Sequence, residues 1–209
     1  MGRDYGLSAY DQRQTFVFNT QYQMPWDKRL TGRTVRATLG GWAINGILSY
    51  GSGLPFNIQD GFNNSRNGDT NVPDRPNFVP GASNNSVQGV TAGCEGIPAG
   101  QKLGTPNRYY DPCAYQLSPA GTFGNLGRNT VTGPTLFDLD FTLLKSIPLT
   151  EKKKLEFRAE FFNLLNHANF GLPLRTVFTA SRTHSGNEGT ITNTSTDNRE
   201  IQLGLKLTF

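Results

Sequence analysis

The chain has 209 residues, of which 35% are hydrophobic, 11% aromatic and 17% charged, and it carries a net charge of +4. That apolar content excludes a disordered chain, and 24 glycines with 12 prolines count against a helix-rich fold, because both residues interrupt helices while strands and turns accept them. The positive charge is dispersed, with Lys152–Lys154 as a lone run, so it builds no basic stripe of the kind nucleic-acid binding needs.

No stretch reaches the roughly 18–20 consecutive apolar residues of a membrane helix. A transmembrane strand needs only about 9–11 residues with apolar groups at alternate positions, so a β-barrel stays open. The opening residues Met1–Gly6 lack the apolar core of a secretory signal. Alone, that favours the cytoplasm; together with the strands below, it suggests a fragment whose signal and upstream domains are absent.

In chain order, Phe16, Phe18, Tyr22 and Met24 alternate with Val17, Asn19, Gln21 and Gln23, and Trp42, Ile44, Leu48 and Tyr50 alternate with Ala43, Asn45 and Ser49. Phe137, Leu139, Phe141 and Leu143 alternate with Asp138, Asp140 and Thr142, and Leu155, Phe157, Ala159 and Phe161 with Glu156, Arg158 and Glu160. Finally Ile201, Leu203, Leu205, Leu207 and Phe209 alternate with Glu200, Gln202, Gly204, Lys206 and Thr208, up to the last position. Period two predicts a strand in each segment, one face apolar and the other polar. Tyr22, Trp26, Trp42 and Tyr50 fall near strand ends, where barrels place aromatic girdles.

The connections sort by length. Short ones run from Pro25 to about Thr38 and from Pro148 to Lys154; long ones, rich in Gly, Asn, Ser and Thr, run from Gly51 to Pro134 and from Gly171 to Asp197. Strict alternation of the two is expected of a barrel with brief periplasmic turns and extended extracellular loops. The expected fold is therefore all-β: an antiparallel up-and-down transmembrane β-barrel segment of about five strands with two long extracellular loops, an incomplete barrel set in bacterial outer-membrane lipid. Its apolar stripes must share a face, so the strands near 135–147 and 155–166 should pair with partner numbers summing to an even value.

Candidate sites are sparse. Cys94 and Cys113 lie 19 positions apart in the first long connection; a disulfide is the preferred reading and two separate thiols the alternative. Zinc is disfavoured there, because neither His167 nor His184 is near in sequence. Asn63, Ser65, Asn67, Gly68 and Asp74 loosely follow an EF-hand loop, but Asn63 replaces the first aspartate and Arg66 adds a positive charge, so a plain polar loop is preferred to calcium. Gly121–Asn129 reads as a turn feeding the strand at Phe137. Asp138, Asp140, Glu156, Arg158, Glu160 and Lys206 share the polar parity of three strands and are expected to form a lumenal ladder of cross-strand pairs. No nucleophile, base and orienting group recur together, so the expectation is of no enzyme, no metal and no cofactor.

Five segments carry a resemblance: Gly40–Ile47 (GGWAINGI), Gly51–Phe56 (GSGLPF), Asp74–Asn77 (DRPN), Gly121–Asn129 (GTFGNLGRN) and Arg158–His167 (RAEFFNLLNH). Together they resemble the C-terminal barrel of TonB-dependent receptors, especially the Oar-like group often found with a carboxypeptidase-regulatory-like domain upstream. The resemblance implies a plugged barrel that imports a scarce nutrient or large ligand, powered by the inner-membrane TonB complex, with no catalytic residues. It makes residues 1–209 a C-terminal fragment of a barrel of about 22 strands. The plug and N-terminal strands are absent, so TonB is reached only through the missing part. It also makes Ile201, Leu203, Leu205, Leu207 and Phe209 similar to the signal read by the barrel-assembly machinery. Two alternatives stand beside it: a secreted soluble β-sandwich that binds carbohydrate, and an outer-membrane barrel or adhesin without TonB coupling.

Overall fold

The computed structural model describes residues 4–69, 71, 73–82 and 86–209; Met1–Arg3 of the N-terminal stretch lie outside them. The chain divides into two compact units. One, a sheet, comprises Gln14–Gly51, Leu136–Asn169 and Thr196–Phe209; the other, a loop body, takes in the two long connections and the N-terminal residues up to Arg13.

The sheet holds five antiparallel strands whose neighbours follow chain order: β1 (Thr15–Gln23), β2 (Trp42–Gly51), β3 (Leu136–Pro148), β4 (Lys154–Phe162) and β5 (Glu200–Thr208). Its register keeps parity throughout. Phe18 opposes Leu48, Leu48 opposes Leu139, Phe141 opposes Phe161 and Phe157 opposes Leu205. The even-numbered Phe16, Phe18, Trp42, Ile44 and Leu48 thus share a face with the odd-numbered Phe137, Phe157, Phe161, Leu203 and Leu205, and the β3–β4 partners sum to even values as expected. A slip of one residue would have turned a whole stripe over. This face is open to the surroundings, with Leu203 67% and Leu205 71% exposed, and β1 and β5 leave the sheet with two edges. A soluble sandwich would cover such a face with a second sheet.

Three details depart from the sequence reading. β4 ends at Phe162, short of the expected limit near 166. β5 stops at Thr208, leaving Phe209 beyond the ladder and 89% exposed. The first short connection is helical rather than a plain turn, with a 3-10 turn at Pro25–Lys28 and an α-helix, α1 (Arg33–Leu39). Pro25 pre-sets the turn, and the link after it loses period-two alternation. The helix stops at Gly40; next, Gly41 adopts φ 68°, its carbonyl accepts the Ser146 N–H at 2.8 Å, and a Cβ on it would strike the Ser146 carbonyl oxygen.

α1 also explains a break in the apolar face. Lys145 stands in β3 opposite Trp42 and Phe157, among apolar positions, yet it is only 5% exposed. Its ammonium donates to the carbonyls of Thr38 (2.9 Å) and Gly40 at the end of α1 and lies 5.0 Å from the centre of the Trp42 ring. A helix C-terminus offers unpaired carbonyls and negative partial charge, so it receives a cation that hydrocarbon would reject.

The loop body has a core of its own. Ile58, Tyr110, Leu126 and Val177 are fully buried, Phe56 and Tyr115 nearly so, and Tyr110 meets Tyr115 edge-on at 6.0 Å. Short ladders tie it together: Pro55–Phe56 with Val131–Thr132, Asn77–Phe78 with Tyr115–Gln116, and Gln59–Asp60 parallel to Thr176–Phe178. Gly121–Asn129 proves to be part of this core instead of a turn feeding β3. The Asn125 and Asn77 side chains exchange hydrogen bonds with the backbone N–H groups of Phe78 (2.9 Å) and Asn125 (2.7 Å). Arg75 donates through Nε to the Leu126 carbonyl at 3.0 Å. A Cβ on Gly124 would collide with the carbonyls of Arg75 and Pro76, so only glycine lets the two segments meet.

Candidate functional site

Asp138, Asp140, Glu156, Arg158, Glu160 and Lys206 lie on one face of β3, β4 and β5, the face opposite the apolar stripes. The pairing differs from the expected cross-strand ladder. The ion pairs run along β4, from Lys154 to Glu156 (3.0 Å) and from Arg158 to Glu156 (3.8 Å) and Glu160 (3.5 Å). Residues two apart on a strand share a face, so β4 neutralises itself; Lys206 stands directly opposite Glu156.

The two aspartates take another role. The Asp140 Oδ1 accepts from the backbone N–H of Asn163 at 3.0 Å, where β4 ends in a tight turn with Asn163 and Asn166 at positive φ. Asn163 is bound back to both the N–H and the carbonyl of His167. Here Asp138, Asp140, Asp197 and Glu200 line an open acidic cleft of about 300 Å³ at the end of the sheet where the long connections begin. His167 sits edge-on to Phe137, 5.8 Å between rings.

In the loop body, Cys94 and Cys113 are joined by a disulfide, with 5.6 Å between their Cα atoms. The fold brings a histidine that sequence distance had set aside: His184 Nε2 lies 3.5 Å from Cys94 Sγ. The His184 Nδ1 donates to Glu188 at 3.2 Å, since a carboxylate can only accept. The Glu188 side chain is fully buried and also pairs with Arg108 at 3.3 Å, whose guanidinium reaches the Glu188 backbone carbonyl as well. Burial by itself would raise the Glu188 carboxyl, but the hydrogen bonds from His184 and from the backbone outweigh it and hold the group below its usual 4.5. None of this was visible from spacing, because Arg108 and Glu188 are 80 positions apart.

The EF-hand register is not formed. Asn67 is exposed and its side chain caps the N–H of Asp69 at 2.9 Å instead of turning inward. What the sequence reading missed is Asp60, 1% exposed, with neither carboxylate oxygen hydrogen-bonded among the described residues. Burial, then the nearby Asp74, push its carboxyl up to about 7, against a smaller pull from Arg182. The signal available was Asp60-Gly61, a charged residue at the end of an apolar segment.

The terminal residues Ile201, Leu203, Leu205 and Leu207 all lie on the exposed apolar face of β5. Among the described residues, no helix is long and apolar enough to cross a membrane, and no group of three or more His, Cys, Asp or Glu is arranged to hold a metal. A family model described as an outer membrane beta barrel domain matches residues 1–202. No curated protein and no solved structure matches the chain.

Proposed function

Because the chain belongs to the outer membrane beta barrel domain family and its place is the bacterial outer membrane, we propose that it supplies the last strands of a TonB-dependent transporter importing a scarce nutrient or large ligand. On this reading the apolar face meets lipid, the self-paired charges of β4 face the lumen, and the long connections project outside the cell. The barrel-assembly machinery reads the terminal strand. TonB engages an upstream part of the same protein, and the chain performs no catalysis.

The observation that carries the reading is the contrast between connections. Two short links close one end of the sheet, while the long ones hold a cored, disulfide-bonded body whose cost in conformational entropy a mere spacer would not repay. The five quoted segments, in their order along the chain, support the TonB-dependent type in particular. The acidic cleft of Asp138, Asp140, Asp197 and Glu200 favours a passage for cationic or polar ligands over apolar ones.

The test is the complete reading frame that encodes these residues. It should encode a plug domain and a short TonB-binding segment upstream, and deleting that segment should abolish uptake while leaving the barrel in the membrane. A frame that encodes strands alone would refute transport coupled to TonB and leave the simple barrel or adhesin.

A further inference from the structure

The loop body contains a buried carboxyl group that the transport reading does not use. Asp60 is 1% exposed, and among the described residues neither of its oxygens has a hydrogen-bond donor. Its backbone N–H donates to the Asp74 carbonyl at 2.8 Å, so the two aspartates begin and end one closed loop. Asp74 is itself 4% exposed, and its Oδ2 accepts the Ser65 N–H at 2.7 Å.

Arg182 offsets the Asp60 charge only in part. Arg182, the cation whose field reaches it, donates to Asn64 Oδ1 at 2.8 Å and lies 5.9 Å from the Phe62 ring centre. Asn64 is fully engaged, because its amide donates to the Ser118 carbonyl and hydroxyl at 2.9 and 2.8 Å. A buried carboxylate without donors is strongly disfavoured, so its charge must be neutralised. A proton would remove the charge but leave a buried O–H and a buried C=O unpaired, whereas a cation satisfies both oxygens at once.

We propose that Asp60 and Asp74 bind a calcium ion in the loop body, with Asp60 as the buried anchor. Calcium fits because it takes oxygen ligands only, tolerates irregular loops and accepts carboxylates in bidentate fashion, while magnesium demands a regular octahedron. Neutral oxygens from the loop and from water complete the shell. With two carboxylates and Arg182 nearby, the affinity belongs with extracellular modules, a Kd of about 10⁻⁴–10⁻³ M. The ion would lock the 60–74 loop, which carries the exposed Arg66 at positive φ. This inference is independent of what the barrel transports.

The experiment uses the full chain in detergent micelles. Calcium binding is measured by equilibrium dialysis with radioactive calcium, and loop order by the rate of tryptic cleavage after Arg66 in calcium or in EGTA. Wild type should bind about one ion, and at about ten times Kd cleavage should slow about tenfold, because the ordered state gains a factor of 1 + [Ca²⁺]/Kd. Asp60→Asn should bind none, ignore calcium, and resist trypsin in EGTA at least as well as wild type, since it removes an unpaired charge. Asp60→Glu should bind more weakly, and Asp69→Asn, on the exposed side of the same loop, should match wild type. The proposal is overturned by a wild type without saturable binding, by Asp60→Asn binding as tightly as wild type, or by equal calcium protection in both. Should Asp60→Asn fail to fold, the weakened binding of Asp60→Glu decides instead.

Discussion

The two units of this chain are held together in opposite ways. The sheet turns its apolar residues outward, and its order comes from a register repeated along five strands, each position decided by its neighbours two residues away. The loop body turns its apolar residues inward and is fixed by few contacts between residues far apart in sequence, several of them charged. A sheet of this kind fails gradually as polarity is moved onto its outer face. A body of this kind fails at particular residues.

The two can be followed separately. Both tryptophans, Trp26 and Trp42, lie in the sheet, while the buried tyrosines Tyr110 and Tyr115 lie in the loop body. Tryptophan fluorescence therefore reports the sheet, and tyrosine near-ultraviolet circular dichroism weights the loop body.

The largest cost to folded stability should come from Arg108→Ala. It leaves Glu188 buried without its guanidinium, a loss of about 3–5 kcal/mol when one partner of a buried pair is removed. The tyrosine signal should melt early and the tryptophan signal hardly move; equal shifts in both would mean that the two units are not separate in stability. Replacing both Cys94 and Cys113 with serine comes next, at about 3 kcal/mol for opening a loop of this size, again in the tyrosine signal.

The comparison reverses on the sheet. Leu203→Arg places a charge in the middle of β5 on the apolar face and should cost about 2–4 kcal/mol in lipid, read by tryptophan fluorescence during urea unfolding in vesicles. Gln202→Arg, one residue away and opposite Glu160, should stay within about 0.5 kcal/mol. Similar costs for the two would show that the outward face does not meet lipid.

Most of the sheet was legible because its information is local. Alternation states both the strand and its face, but it says nothing of Lys145, whose place among apolar positions is explained only by the helix end at Thr38 and Gly40. The loop body was illegible for the converse reason. Ile58, Tyr110, Leu126 and Val177 follow no period, and Gly121–Asn129, which read as a turn feeding β3, meets Asp74–Asn77 more than forty positions away in the chain. Cys94 and Cys113 could be paired on paper because two cysteines allow one bond. Asp60, Arg108, His184 and Glu188 could not, since a charged residue in a polar segment gives no sign that folding will bury it.

A smaller effect than any substitution above is expected from acid. Glu188 has a folded-state value below its ordinary 4.5, so its ionisation contributes stability that is complete above about 4.5 and is lost as pH falls through the depressed value. Burial opposes the hydrogen bonds that lower it, which keeps the net contribution small. The tyrosine melting temperature should fall on acidification below that value in wild type and change less in Glu188→Gln.

The smallest cost to the folded sheet is expected at Phe209. It stands beyond the last ladder pair, Thr208 with Lys154, and is 89% exposed, so its removal opens no cavity and breaks no strand hydrogen bond. At the interfacial end of a strand even a charged substitution costs only about 0–1 kcal/mol, and Phe209→Ser should cost less. If the assembly machinery reads the terminal aromatic with Leu207, Leu205, Leu203 and Ile201 before it, recognition has no such tolerance. Phe209→Ser in the full-length parent should then leave the urea midpoint of purified protein unchanged while sharply lowering the amount in the outer membrane. Phe123→Ser, an exposed aromatic of the loop body, should lower neither. Fractionation of cells producing the parent and both variants decides: equal outer-membrane amounts in all three would show that the end of β5 is only the end of a strand.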